Sequence, residues 1–304
     1  MKFRQIPGVR LAAIATLLAP IAGAAQTFPT DSVVQRLVEE RVRDGRAAGI
    51  VVGLLDRDGS TRVFTAGTAG AGRTLDRNSL FEIGSITKAF TGVLLADMVR
   101  AGEVSLSDPV SKYLPANVNM PSRGGIEITL EHLSSQTSGL PRLPGNMRPA
   151  NLLNPYADYT VARMVAGHDP AGDTVPLWDL PTLAGAGALR SSMADMLKFA
   201  EAMVRPVPAL REAVTMATRS RASTGPNMEI GLGWFRQAIG NDTIVWHNGG
   251  TGGFRTYVGF MPSAGRAVVV LTNSSGAGSD DLGRHLLIPS LPLVRPQVGT
   301  RSDR

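Results

Sequence analysis

Residues 81–90 read FEIGSITKAF, and this stretch decides how the rest of the chain is interpreted. Apolar residues recur at helical spacing from Ser85 to residue 101, so the pattern predicts a helix that Gly102 ends. A serine at the start of a helix lies where backbone N–H groups and the helix dipole favour developing negative charge. Lys88 follows three residues later, projects from the same helix face and can reach the Ser85 hydroxyl.

Composition favours a chemical role for this lysine over the alternative, a solvated side chain on a capped helix. The chain has 31 basic residues, and only positions 2, 88, 112 and 198 are lysine. Arginine stays protonated in proteins and cannot replace a lysine that acts as a base. A lysine acts as a base only where burial or nearby charge lowers its pKa. Lys88 is the only lysine with a serine three positions before it.

A glycine-rich segment far downstream is the second group of residues that suggests chemistry. Residues 246–254 read WHNGGTGGF, with four glycines in five positions after a predicted strand that ends at His247. Glycines allow a ligand to approach the backbone closely. His247, Asn248 and Thr251 supply polar groups beside Gly249 and Gly250. A ligand-binding strand end and a glycine-rich hairpin with a chance histidine both remain open on these residues alone.

The remaining pattern predicts strands at both ends of the chain and helices between them. Two β-branched runs, 49–56 and 61–66, flank Asp58-Gly59 and predict a hairpin. Further strands are predicted at 230–237, 243–247, 254–261 and 267–272. Helices are predicted at 31–45, 129–133, 192–204 and 280–287. Ser192, with Asp195 three residues on, predicts a side-chain cap for the helix at 192–204.

The simplest assembly of these elements is an α+β fold. An antiparallel sheet would join the N-terminal hairpin to the C-terminal strands, with helices on its faces. A shortened helical lobe, at about residues 85–225, would be inserted between them. We expect a cleft between the sheet and this lobe, where ligands commonly bind.

The first residues predict a secretory signal peptide. Residues 1–10 carry three basic residues and no acid, residues 11–22 are apolar, and residues 22–24 read AGA. The apolar run is short for a membrane span of ~20 residues, although an uncleaved anchor is the alternative. Residues 25–304 would then form one domain in the periplasm or outside the cell.

Composition excludes several other classes of protein. The net charge of +6 falls to +3 without the three basic residues at the N-terminus, which is too weak and scattered for a nucleic-acid-binding surface. The chain has no cysteine, which excludes disulfide scaffolds, iron–sulfur clusters and thiolate zinc sites. His132, His168 and His285 are not at metal-ligand spacing, so we expect neither a metal nor a cofactor. No segment after residue 24 is long and apolar enough to cross a membrane.

Together, the Ser85/Lys88 pair and the His247-x-Gly249 strand end resemble the serine β-lactamase and penicillin-binding superfamily. The likeness is strongest to the class C β-lactamase branch with its DD-peptidase and esterase relatives. It runs from about residue 49 to residue 272, and His247 stands where β-lactamases usually carry lysine. The segments that carry it are 81–90, 101–115, 129–141, 185–192 and 247–254.

The resemblance implies a serine hydrolase that forms an acyl-enzyme on Ser85. Lys88 would take or relay the serine proton, and the backbone N–H groups of Ser85 and Gly250 would form the oxyanion hole. Substrate-binding residues would be His247, Asn248, Gly249 and Thr251. Expected ligands are D-Ala-D-Ala peptides of the cell wall, β-lactams and small esters.

Histidine at position 247 gives a hypothesis about pH. An unperturbed histidine titrates near ~6.5, whereas lysine stays charged at neutral pH. If a cationic His247 binds a substrate carboxylate, acidic ligands should bind more weakly as the pH rises through that range. Neutral esters should not respond.

One motif of the family is missing from the chain. The class C branch has a Tyr-x-Asn motif whose tyrosine moves protons to the serine and the leaving group, and no Tyr-x-Asn occurs here. Tyr156-Ala157-Asp158 is the nearest approximation, so Tyr156 is the candidate replacement. The alternatives are a catalytically impaired penicillin-binding or sensor protein, and an inactive remnant that folds poorly.

Overall fold

A computed structural model describes residues 27–143, 145 and 162–294, and the predicted signal peptide lies outside this range. No helix in these residues is both long and apolar enough to span a membrane. Two 3-10 turns, Gly84–Ile86 and Val110–Tyr113, accompany the α-helices. The helices in the described residues are α1 (Asp31–Arg43), α2 (Thr87–Arg100), α3 (Leu130–Ser134), α4 (Ala184–Gly187), α5 (Met193–Val204), α6 (Pro208–Thr218) and α7 (Asp280–Leu287).

The strands form one large antiparallel sheet and three small pairs. In chain order they are β1 (Gly49–Leu55), β2 (Thr61–Gly70), β3 (Arg73–Thr74), β4 (Leu80–Glu82), β5 (Ser122–Arg123), β6 (Ile126–Glu127), β7 (Gly167–His168), β8 (Thr174–Val175), β9 (Arg190–Ser192), β10 (Ala222–Gly225), β11 (Met228–Ile230), β12 (Phe235–Ile239), β13 (Asp242–Gly250), β14 (Arg255–Met261) and β15 (Arg266–Thr272). The large sheet has the order β10-β11-β12-β13-β14-β15-β1-β2-β3. The pairs are β4 with β9, β5 with β6, and β7 with β8.

Helices cover both faces of the large sheet. Strands β1 and β15 are buried along their whole length, which explains their continuous apolar sequences. Alternate residues of each strand point to opposite faces. One set packs against α1 and α7, and the other packs against α2, α5 and α6. The second face also carries the helical lobe, so the strand ends near α2 lie at the boundary between sheet and lobe.

The predicted assembly is confirmed: the N-terminal hairpin joins the C-terminal strands through the β1–β15 pairing. Two details differ. The strand predicted at 230–237 is interrupted, because residues 231–234 leave the sheet and pack against α2 and α6. Helix α6 was not predicted. The bounds given for the helical insert stay a prediction. Residues 139–155, whose proline and asparagine residues predict a surface loop, lie largely outside the described residues.

We expect Ser192→Ala to lower the free energy of unfolding by about 1 kcal/mol, since Ser192 caps α5. Its buried Oγ accepts a hydrogen bond from Asp195 N at 3.2 Å and donates to Asp195 Oδ2 at 2.9 Å. Ser191→Ala is the matched control, because within the described part of the chain the Ser191 hydroxyl makes only a 3.4 Å contact with a neighbouring carbonyl. Urea unfolding measures both. Equal midpoints for the two variants would contradict the cap.

Candidate active site

Ser85 and Lys88 lie together at the start of α2. Ser85 is in the middle of the 3-10 turn Gly84–Ile86, and its Oγ accepts a hydrogen bond from Lys88 Nζ at 3.0 Å. Gly84 has φ of 51°, which glycine adopts without steric cost. The helix therefore begins two residues later than predicted, while the predicted contact between serine and lysine is present.

A short helix, α4, holds the lysine in this position. Lys88 Nζ donates a second hydrogen bond to the carbonyl oxygen of Ala186 at 2.7 Å. Thr91, one turn along α2, donates to Gly185 O at 2.6 Å. Helix α4 is therefore fixed to α2 on the side that faces the serine. No sequence pattern predicts the role of the Ala186 carbonyl, because a backbone acceptor is independent of residue type.

Burial makes Lys88 a usable base. Desolvation, and then the positive charge of Arg142, lower the pKa of Lys88 to about 8. A substantial fraction of the amine is then neutral near neutral pH, whereas an ordinary lysine would be almost fully protonated. The site thus provides a hydroxyl nucleophile with an adjacent proton acceptor.

The end of β13 lies directly against the backbone that precedes Ser85. A side chain at Gly84 would lie 2.7 Å from the backbone nitrogen of Gly250, and one at Gly249 would collide with the carbonyl oxygen of Ile83. Only glycine permits this approach. The close packing brings the Gly250 backbone beside the serine turn, as the sequence interpretation required.

His247 lies on the same face of β13 as Gly249, but its environment contradicts the expected cation. The side chain is 3% exposed. Burial, together with the charge of Lys88, lowers the pKa of His247 to about 4 against an opposing hydrogen bond to Asn248 O. The ring is therefore neutral throughout the range from ~5.5 to ~8 in which it was expected to titrate. The low pKa disfavours the hypothesis that a cationic His247 binds a substrate carboxylate, and the role of His247 in substrate binding stays a prediction.

Asn248 and Thr251 also differ from the expected arrangement. Because neighbouring strand residues face opposite ways, the Asn248 side chain points to the α7 side of the sheet and donates to Asp280. It is turned away from Ser85, so its predicted contact with substrate needs correction. Thr251 is 7% exposed and faces the buried carboxylate of Glu82 rather than open solvent.

Neither tyrosine in the described part of the chain takes the place of the missing motif. Tyr257 is fully buried on the opposite face of the sheet, against Trp246. Tyr113 is exposed, and its hydroxyl donates to Asp108. Tyr156, the candidate replacement, lies outside the described residues.

The β-lactamase family model matches this chain in two segments, residues 34–166 and 153–290. The chain belongs to the β-lactamase family. This confirms the resemblance inferred from the Ser85 and His247 motifs, and with it a serine hydrolase of the β-lactamase/DD-peptidase type.

Curated family members are similar over different lengths. A β-lactamase of Pseudomonas fluorescens is 25% identical and aligns with 80% of this chain and 93% of its own. The D-alanyl-D-alanine-carboxypeptidase/endopeptidase AmpH of Escherichia coli K12 is 34% identical over 118 residues, which are 38% of this chain and 30% of AmpH. The alignment with the P. fluorescens protein is 335 positions long, yet 80% of 304 residues is only about 243, so roughly 90 positions have no counterpart here.

Solved structures share the fold. A β-lactamase/D-alanine carboxypeptidase from Pseudomonas syringae has a TM-score of 0.71 at 18% identity, covering 86% of this chain and 99% of that one. A class C β-lactamase from Rhodobacter sphaeroides has a TM-score of 0.69 at 21% identity, covering 85% and 98%. These likenesses confirm the α+β fold predicted from the strand and helix pattern.

We expect kcat/KM for a neutral ester to rise with pH by up to about tenfold per unit, and to level off above pH 8. The neutral amine is the form of Lys88 that can accept a proton, and the pKa of Lys88 is about 8. His247 should add no step near pH 6.5, because burial holds its pKa near 4. Initial rates between pH 5.5 and 9.5 measure the profile. A change in kcat/KM centred near pH 6.5 would show that His247 titrates in the site.

Proposed function

We propose that this protein is a serine acyl hydrolase that forms a covalent acyl-enzyme on Ser85. The observation that carries this is the 3.0 Å hydrogen bond between Ser85 Oγ and a half-buried Lys88 whose pKa is lowered to about 8. A hydroxyl becomes an effective nucleophile when a neighbouring base can take its proton. Family membership supports the same chemistry.

The reaction follows from this geometry. Ser85 Oγ attacks the carbonyl carbon of the substrate while Lys88 Nζ takes the hydroxyl proton. The N–H groups of Ser85 and Gly250 donate hydrogen bonds to the resulting oxyanion. The tetrahedral intermediate collapses, the leaving group takes the proton from Lys88, and the acyl group stays on Ser85. Water then attacks the ester and gives a proton to Lys88, and Lys88 passes this proton to Ser85 Oγ as the C–O bond breaks and the acid is released.

Relatives suggest the substrate class. β-Lactams and D-alanyl-D-alanine peptides are suggested by the names of the two curated relatives. Small esters are the third class, since they offer the same carbonyl without a strict requirement for a carboxylate. A neutral His247 supplies no positive charge, and this favours uncharged acyl groups among these substrates.

A second candidate function is a penicillin-binding sensor that acylates but does not turn over. The observation that favours it is the gap of roughly 90 positions against the P. fluorescens β-lactamase, together with the absence of a Tyr-x-Asn motif from the sequence. Without that tyrosine, proton transfer to the leaving group, or from the deacylating water, would be slower.

Intact-mass measurement after incubation with a penicillin, and separately with a neutral chromogenic ester, tests both proposals. Wild type and Ser85→Ala are compared. We expect a covalent adduct on wild type only, and its decay on wild type supports the hydrolase. A permanent adduct supports the sensor. No adduct with either ligand, on a protein that melts cooperatively, would overturn acylation at Ser85, and a broad non-cooperative melt would indicate a poorly folded remnant.

The compartment is part of the same proposal. Residues 1–24 act as a signal peptide, and the mature enzyme works in the periplasm or outside the cell on small molecules or peptidoglycan peptides. The mass of the protein purified from its native host tests this. Retention of residues 1–24 would contradict cleavage.

A further inference from the structure

Glu82 is a buried carboxylate three residues before Ser85 that contacts three separate parts of the candidate site. The residue is 3% exposed, which is rare for an ionisable side chain. It ends β4, so its backbone continues directly into the turn that carries Ser85. The acylation steps above do not use it. Burying a carboxylate is costly, so its partners need to be accounted for.

The first contact is to Trp178, in the segment between β8 and α4. Glu82 Oε1 accepts a hydrogen bond from the backbone N–H of Trp178 at 2.6 Å. The Trp178 indole in turn lies over the glycine-rich loop after β13, because a side chain on Gly252 would lie 2.8 Å from its Nε1. The carboxylate therefore positions the residue that covers this loop.

The second contact is to Arg190 on β9, the strand that pairs with β4. Arg190 Nη2 lies 3.8 Å from Glu82 Oε1 and donates to the carbonyl oxygen of Trp178 at 2.7 Å. The Glu82 carboxylate thus binds the backbone N–H of Trp178, and the Arg190 guanidinium binds its backbone carbonyl. Arg190 lowers the pKa of Glu82 only weakly against the larger rise caused by burial.

The third contact is to Thr251 in the glycine-rich loop. Glu82 Oε2 and Thr251 Oγ1 are both buried, and neither has a hydrogen-bond partner of good geometry in the described residues. Thr251 nevertheless lowers the pKa of Glu82 as a hydrogen-bond donor does. The Thr251 hydroxyl therefore lies near the Glu82 carboxylate, but the two groups are not aligned for a good hydrogen bond. The threonine hydroxyl rotates freely, so a small rotation lets it donate to Glu82.

We infer that Glu82 is a positioning residue, which holds the Thr251 loop and Trp178 in register with Ser85. The adjacent residue, Gly250, offers the oxyanion N–H, so a shift of this loop would move the donor away from the developing charge. The inference rests on the proposed acyl transfer at Ser85. It predicts that Glu82 affects the transition state and leaves ground-state binding of substrate largely unchanged.

A double-mutant cycle with Glu82→Gln and Thr251→Val tests the inference. Both substitutions keep the shape of the side chain, and the glutamine oxygen can still accept from Trp178 N–H. We expect each single variant to lower kcat, per active site titrated by penicillin, by about 10-fold, with KM changed less than about threefold. The double variant should be no worse than the poorer single variant, because the two residues act through one contact.

Matched controls separate positioning from stability. Thr251→Ser keeps the hydroxyl and should restore kcat to within about threefold of wild type. A purely structural role would lower the melting temperature of Glu82→Gln while kcat per titrated site stayed unchanged. That result, or strictly additive losses in the cycle, would overturn the inference.

Hydrogen exchange keeps the inference testable if wild type does not turn over. The backbone amides of residues 250–254 should exchange faster in Glu82→Gln than in wild type, whereas the amides of α5 should not change. Failure of the proposed function would appear as no adduct on wild type. Failure of the positioning role would appear as unchanged exchange in residues 250–254.

Discussion

Lys88→Arg is expected to lower kcat/KM for a neutral ester by about 10²–10⁴, the usual contribution of a general base. The guanidinium keeps a positive charge and can still reach the Ser85 hydroxyl, but it stays protonated at every accessible pH. A loss of kcat/KM would therefore report the ability of Lys88 to accept a proton, separately from its positive charge. Stopped-flow or steady-state rates with a chromogenic ester measure it.

Lys198→Arg is the control for this substitution. Lys198 is a mostly exposed residue of α5 that forms an ion pair with Asp195 at 3.0 Å. It has no assigned role in the candidate site. We expect the Lys198→Arg variant to hydrolyse the ester at the wild-type rate. The pH profile adds a second control, because the limb near pH 8 should disappear in Lys88→Arg. Near-normal activity in Lys88→Arg would show that another group takes the serine proton.

Local rules in the sequence were sufficient for the parts of the site that lie on one element. The three-residue spacing of Ser85 and Lys88 fixes their contact once the segment is helical, and Gly102 ends that helix with φ of 75°. The Ser192 cap and the β1–β2 hairpin follow in the same way from residues adjacent in the chain. Packing by distant elements adds stability to these local structures but does not determine them.

The structure departs from the sequence-based expectations where distant elements decide the environment of a residue. The charge state of His247 depends on how completely other segments bury it, and nothing in residues 246–254 reports that burial. The direction of the Asn248 side chain, in contrast, can be predicted from the sequence, because alternation along a strand places it on the face opposite to His247. Both residues were assigned to the cleft because they stand together in one motif, and the period of the strand separates them.

Contacts to backbone atoms were invisible for another reason. The Ala186 carbonyl that holds Lys88 carries no side-chain signature, and Glu82 appeared only as a letter within the nucleophile segment. Its importance emerges from three contacts to residues between 96 and 169 positions away, which a single sequence does not relate. Functional geometry of this kind depends on tertiary packing.

Gly249→Ala is the second substitution with a large expected effect. The new methyl group would collide with the carbonyl oxygen of Ile83 and with Thr256 Oγ1, which donates to that same carbonyl at 2.9 Å. The two backbones must separate, which costs about 1–3 kcal/mol of folding free energy as overpacking does. Gly250 moves with the strand, so the oxyanion donor is displaced and kcat should fall by about 10²–10³.

Gly185→Ala distinguishes this collision from a general effect of removing a glycine near the site. Among the described residues, a side chain there would meet only Thr91, at an ordinary 3.5 Å, so stability and kcat should stay close to wild type. Urea unfolding and ester turnover are measured on both variants. A Gly249→Ala protein with normal stability and normal kcat would mean that β13 does not pack against the serine turn in solution. Reduced stability with normal kcat per active site would instead place the oxyanion donor elsewhere.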